Sequence, residues 1–291
     1  MAKRHVDEIM TLHALKLEQG IAKVREKYPD ARVIKLIVGK TVYWMKQSER
    51  HESVKKRLRK GDGAEALRRE RENLEDLDAK GIPVPKVVAH DTDYLVIADC
   101  GLTLNDLFLA GDYQLADGMN AFFEAGRALA KLHGQGLALG RGKAKDFCWD
   151  GQTVRFIDLE ESPAVFDPNT NGRENLVNFV FHTFFSAFQL KRDAYPEARA
   201  FLRGYGADQQ DWTRQTLDNA ARWARRRWWM AALSIPVGFL RPLGRAPDFK
   251  ATAPTLMLLA YPENLPRQPS TKATAKPIEA AAPLPRASTG N

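Results

Sequence analysis

Cysteine is nearly absent from this 291-residue chain: Cys100 and Cys148 are the two present. No His or Cys pairs with them at metal-ligand spacing, so neither a disulfide framework nor a structural zinc site is expected, and a reducing compartment is the natural reading. Long apolar runs are also missing. No stretch approaches the length needed to cross a bilayer, and MAKRHVDEIMTLHALKLEQG is charged throughout, without the apolar segment of a secretory signal. A cytoplasmic protein is therefore expected, with a peripheral position on the inner membrane as a variant of that reading. Internal repeats are lacking, which sets aside solenoids and propellers.

What is present is ordinary globular composition with a surplus of positive charge. Hydrophobic residues make up 44% and charged residues 27%, enough for a sizeable core, and the formal net charge is +8. A partner carrying negative charge is implied: a phosphorylated ligand, anionic lipid or nucleic acid.

Residues 5–28 place Val6, Ile9, Met10, Leu12, Leu15 and Leu17 among charges, the pattern of an amphipathic packing helix. ARVIKLIVGKTVYWMKQ reads as strands Val33–Val38 and Thr41–Lys46 joined at Gly39 and Lys40. A basic run, SVKKRLRK, precedes a break at residues 61–63 and a helix from Ala64 to Ala79 that stops at Gly81. Tyr94 to Ala98 has the character of a buried strand. Helical patterns then dominate, from about Ala116 to Gly134 and from about Glu174 to Lys191, the second rich in Phe. Beyond Tyr261, Pro, Ala, Ser, Thr and Lys predict a disordered tail over 262–291.

Three residues carry chemistry. Period-2 alternation puts Val42, Trp44 and Lys46 on one strand face, so Lys46 shares its face with an indole; an outward-turned edge lysine is the alternative. In AEALRRERENLEDL, Leu67, Leu74 and Leu77 form an apolar stripe, and Glu70 lies on it. A charge there requires a partner, and Lys46 would serve, whereas Glu72 and Glu75 fall on the exposed face. Asp158 ends the strand in QTVRFIDLEE, where a carboxylate can ligate metal or, alternatively, form a turn or cap a helix.

The order of VYWMKQ, RRERENLEDLDAKGIPVPKVV, YLVIADCGLTLNDLF and LAKLHGQGLALGRGKAKDFCWDGQTVRFIDLE resembles the lipopolysaccharide kinase family of Kdo and core-heptose kinases, over about residues 30–195. That resemblance implies an α+β, two-lobed, RIO-like kinase fold. Residues 1–100 would form a β-rich N-lobe and 101–261 a helical C-lobe. It also implies that Lys46 contacts the phosphates of ATP, that Glu70 pairs with Lys46, that Ile97 to Gly101, including Asp99, is the hinge holding adenine, and that Asp158 binds Mg2+. Its acceptor would be an anionic envelope sugar or glycolipid.

LGRGKAKD departs from the family pattern His-Gly-Asp-x4-Asn. Leu139 stands for the His, Arg141 for the catalytic Asp and Asp146 for the metal-binding Asn. Asp146 with Asp158 can still hold metal, but a guanidinium cannot accept a proton. Arg141 and Lys143 could instead stabilise a transferring phosphoryl group, since positioning and charge neutralisation dominate that reaction. The alternatives are a nucleotide-binding pseudokinase regulator and a basic membrane-surface adaptor. The glycine-rich cover over the phosphates is reduced to Gly39. His133, at a helix end, is read as a packing residue. Arg222, Arg225, Arg226 and Arg227 are combined with Trp223, Trp228 and Trp229, which suits either a C-lobe helix or an anionic lipid surface. Nucleic acid is less favoured.

Overall fold

The structure, a computed structural model, describes residues 2–48, 63–110, 115–140, 142–190, 193–230 and 246–261, with side chains described outside 2–12, 110–117, 189–192 and 246–250. Arg141, the basic run 53–60 and the tail 262–291 lie outside the described residues.

Helix α1 (Ala2–Lys27) precedes a hairpin of β1 (Val33–Val38) and β2 (Thr41–Gln47), with residues paired from Val33↔Lys46 to Val38↔Thr41. Its two-residue turn needs a positive φ at the first position, and Gly39 supplies it at 63°. Helix α2 (Gly63–Ala79) follows, then β3 (Val87–His90) and β4 (Tyr94–Ala98), giving an antiparallel sheet in the order β1-β2-β4-β3. Alternation along β2 separates two faces. Tyr43 and Met45 face α1, where Leu17 and Ile21 pack with Leu36, Val38 and Val96 in a small core. Leu15, expected on that apolar stripe, is instead 51% exposed.

The larger core runs through the second half of the chain. Its elements are β5 (Leu102–Thr103), α3 (Leu104–Ala110), α4 (Leu115–Gly134), β6 (Leu137–Ala138), a 3-10 turn (Ala144–Asp146), β7 (Phe147–Trp149), β8 (Val154–Phe156) and β9 (Ala164–Val165), then α5 (Asn171–Leu190), α6 (Tyr195–Tyr205), α7 (Asp211–Arg226) and α8 (Ala246–Ala260). Phe179 of α5, buried at the centre, stacks on Phe201 at 3.6 Å and meets Phe122 and Phe147 edge-on, so the Phe-rich helix is the buried one its composition predicted. Leu67, Leu74 and Leu77 of α2 belong to this same core, which therefore crosses residue 100 and ties α2 to the helical lobe. The fold is α+β, with a small antiparallel sheet lobe and a mainly helical remainder.

The expectation for the cysteines fails as well. Cys100, just after β4, and Cys148, in β7, are joined by a disulfide, with both residues buried. Sequence separation concealed the pair: the antiparallel pairing of β5 with β7 brings together two segments 48 residues apart.

Candidate functional site

Lys46 lies on the β2 face away from α1, as alternation requires, beside Trp44. Its Nζ donates to Glu70 Oε1 at 2.5 Å and lies 3.7 Å from Asp158 Oδ1. Glu70, on the buried stripe of α2, is 1% exposed. Burial pushes its carboxyl above the ordinary carboxylate range, while the Lys46 charge and hydrogen bond pull it down. Glu70 Oε2 is buried without a hydrogen-bond partner. Glu72 faces solvent and pairs with Arg68, and Glu75 is exposed, as the helical period predicts.

Asp158 follows β8 with φ at 61°, a left-handed conformation that Asp tolerates better than most residues and that marks a constrained position. The neighbouring Ile157 N–H donates to Asp146 O at 2.9 Å, pinning this segment to the 3-10 turn. Asp146 Oδ2 accepts from the Lys143 backbone N–H at 3.0 Å. Burial raises the Asp146 carboxyl above its ordinary range; the Lys143 N–H and Lys145 oppose this, and Asp158 adds to it. Lys145 Nζ sits 3.6 Å from Asp146 Oδ1 and 3.5 Å from Asp158 Oδ2. A cation between two carboxylates is the arrangement a hard divalent ion would replace. Among the described residues no cluster of three His, Cys, Asp or Glu side chains could hold a metal. Magnesium nonetheless fits two carboxylates, because it commonly completes its shell with water and phosphate oxygens.

A cavity adjoins these groups, lined by Gly140, Lys143, Lys145, Asp146 and Asp158 and closed by Leu159 to Glu161. Two amides hold its walls. Asn73 of α2 donates to Leu159 O at 2.7 Å. Asn175 of α5 brackets Leu139, accepting from its N–H at 3.1 Å and donating to its C=O at 2.8 Å. His133 supports Asn175. Since Asn175 Oδ1 can only accept, His133 Nε2–H donates to it at 3.0 Å, and Nδ1 accepts from the Tyr205 hydroxyl at 2.8 Å. With Phe166 stacked at 4.4 Å, this is a buried packing histidine, as expected from its helix-end position.

The residues foreseen in sequence are thus partly assembled. Lys46, Glu70 and Asp158 converge, and Lys145 joins Asp146 to them. Ile97 is buried in β4 opposite Trp44, and the Asp99 carboxylate accepts from Trp44 Nε1–H at 2.6 Å, so neither residue lines the cavity beside the acidic pair. Gly39 stays in its open turn, with nothing within 4 Å of a would-be Cβ. Lys145 and Asn175 escaped sequence reading: a solvated-looking lysine and one helix amide carry no pattern. Trp223 packs against the core, whereas Trp228 and Trp229 are 67% and 53% exposed.

A sheet-borne lysine held by a helix glutamate, facing an aspartate from the helical lobe, defines a protein-kinase-like arrangement. No protein-family profile matches the chain. An uncharacterized protein of Haemophilus influenzae is 26% identical over 143 residues, which span 49% of this chain and 59% of that one. Among solved structures, WbdD in a co-crystal with a kinase inhibitor gives a TM-score of 0.40 at 18% identity, covering 62% of this chain and 45% of that one. A structure described as the bifunctional kinase-methyltransferase WbdD gives 0.38 at 15% identity, covering 65% and 46%. The chain therefore spans less than two thirds of each of these proteins.

Proposed function

We propose that the chain is an ATP- and Mg2+-dependent phosphotransferase. The observation that carries this reading is Lys46 placed between Glu70 and Asp158. Lys46 presents its remaining N–H donors to phosphate oxygens, and Glu70 fixes the ammonium by binding it from the buried side. Asp146 and Asp158 would hold the metal in the place Lys145 Nζ now takes between them, and the displaced Lys145 would supply positive charge beside it. Bound Mg-ATP provides the transferable phosphoryl group. Arg141 cannot remove the acceptor's proton, so as ADP leaves that proton passes to an oxygen of the transferred phosphoryl group or to water, and catalysis rests on positioning and charge neutralisation. The acceptor is a hydroxyl on a lipopolysaccharide-type or other anionic envelope saccharide, as the motif order suggests.

Arg141 itself favours a second reading, a nucleotide-binding regulator without turnover. Transfer of labelled γ-phosphate from ATP to purified envelope glycolipid, compared between wild type and Asp158→Ala, separates them. Label incorporated by wild type and lost in the variant supports the transferase. Thermal stabilisation by Mg-ATP without transfer favours the regulator. Absence of both stabilisation and transfer sinks either reading.

A further inference from the structure

The end of α7 builds a second basic site that the nucleotide cleft does not use. Arg222, Arg226 and Arg227 line a surface pocket together with Arg173 from the first turn of α5, and Asn169, Asn219 and Trp223 complete its wall. Several of these groups are held in place. Asn219 donates to Pro168 O at 2.9 Å and to Asn169 Oδ1 at 3.0 Å, and its own carbonyl oxygen accepts from Arg222. The Arg227 guanidinium lies over the Trp223 ring, 4.7 Å from its centroid. Arg225, by contrast, donates to Ala260 O at 2.8 Å and ties α7 to α8.

Charge balance in the pocket is incomplete. Arg173 pairs with Glu174, yet its Nε is buried without a hydrogen-bond partner. Among the described residues no carboxylate forms an ion pair with Arg222, Arg226 or Arg227. Convergent guanidiniums repel one another and present forked donors that match phosphate oxygens, so an anion relieves both the repulsion and the unmet donors.

The residues that follow indicate which phosphate. Trp228, Trp229 and Met230 come directly after the last arginine, 67%, 53% and 38% exposed. Indoles beside arginines suit the boundary between headgroups and acyl chains, and a soluble phosphate ligand would leave them without a role. Among the described residues no helix is long and apolar enough to cross a membrane, so contact would be at the surface.

We propose that the pocket binds the phosphate of an anionic membrane-lipid headgroup, with Trp228 and Trp229 seated in the interface around it. This goes beyond the phosphotransferase reading and rests on no residue of the nucleotide cleft. Flotation of the whole chain with vesicles of phosphatidylcholine alone, or mixed with phosphatidylglycerol, tests it. Wild type should float with the anionic vesicles and not with the neutral ones. Arg222→Gln/Arg226→Gln should partition roughly 30-fold more weakly, and Trp228→Ser/Trp229→Ser should also lose binding. Each variant is compared at a melting temperature matched to wild type, with Arg226→Gln alone as the milder substitution. Undiminished flotation of the arginine variants, or none by wild type, overturns the proposal. Stabilisation by inorganic phosphate that depends on Arg222 and Arg226, without vesicle binding, overturns the lipid assignment in favour of a soluble ligand.

Discussion

Lys46 Nζ donates to Glu70 Oε1 at 2.5 Å, with the lysine side chain 14% and the glutamate 1% exposed. A pair this dry survives only if both members stay, because a single survivor is a buried charge without a partner. Lys46→Ala should cost about 3–5 kcal/mol of unfolding free energy, and Glu70→Gln added to it should recover part of the loss. The sign with pH follows from Glu70, whose carboxyl is already raised by burial and rises further without Lys46. The folded variant then binds a proton that the unfolded chain releases, so its deficit is largest near neutrality and shrinks on acidification. Urea titrations at neutral and mildly acid pH measure both effects.

His133 should give the wild type an acid-sensitive stability. Burial drives its pKa down to about 4, against the Asn175 hydrogen bond, from an ordinary value near 6.5. Above the unfolded value the neutral ring is retained at no cost. As pH falls through this window the unfolded chain takes up a proton that the folded one refuses, and up to about 3 kcal/mol is lost. Unfolding free energies measured across the window should slope less in His133→Gln. An equal slope in the variant would show that another group governs it.

Cys100 and Cys148 should both resist thiol reagents in guanidinium until a reductant is added. Closing a loop of this length restricts the unfolded chain, and its loss typically costs about 2–4 kcal/mol. Cys100→Ser/Cys148→Ser should therefore melt earlier than the oxidised wild type and match the reduced one. Two freely titrating thiols in the unreduced protein would contradict the pairing.

Gly204→Ala should be among the most damaging small substitutions. Helices α4 and α6 meet so closely that a Cβ on Gly204 would lie 1.9 Å from Phe123 O, and one on Gly126 would lie 2.0 Å from Phe201 O. Backbone cannot yield as a flexible side chain does, so the helices must separate and the Phe179–Phe201 stack with them. A loss of about 2 kcal/mol or more is expected, read from the urea midpoint. A near-neutral result would mean that the helices are not in contact there.

Much of the sheet lobe was legible because its signals are local. Alternation in VYWMKQ assigned Lys46 to its face, the 3.6-residue period set Glu70 on the buried stripe beside Leu67 and Leu74, and the β8 strand delivered Asp158 to its end. Leu15 misled: two residues from Leu17, it lies on the other side of the helix from the Leu17 and Ile21 stripe and is exposed. Periodicity tells which residues share a face, not whether a neighbour covers that face.

Sequence alone therefore determined the first hairpin, the helices that carry Glu70 and Phe179, and the candidate lysine, glutamate and aspartate. Only tertiary structure decided which groups meet. It placed Lys145 between Asp146 and Asp158, set Asn175 around Leu139, joined Cys100 to Cys148, and brought Arg173 to the arginines of α7. The physical reason is range. Strand and helix periods are written in neighbouring residues, whereas each of these contacts, apart from that of Lys145 with adjacent Asp146, joins segments far apart in the chain that the folded core alone brings together.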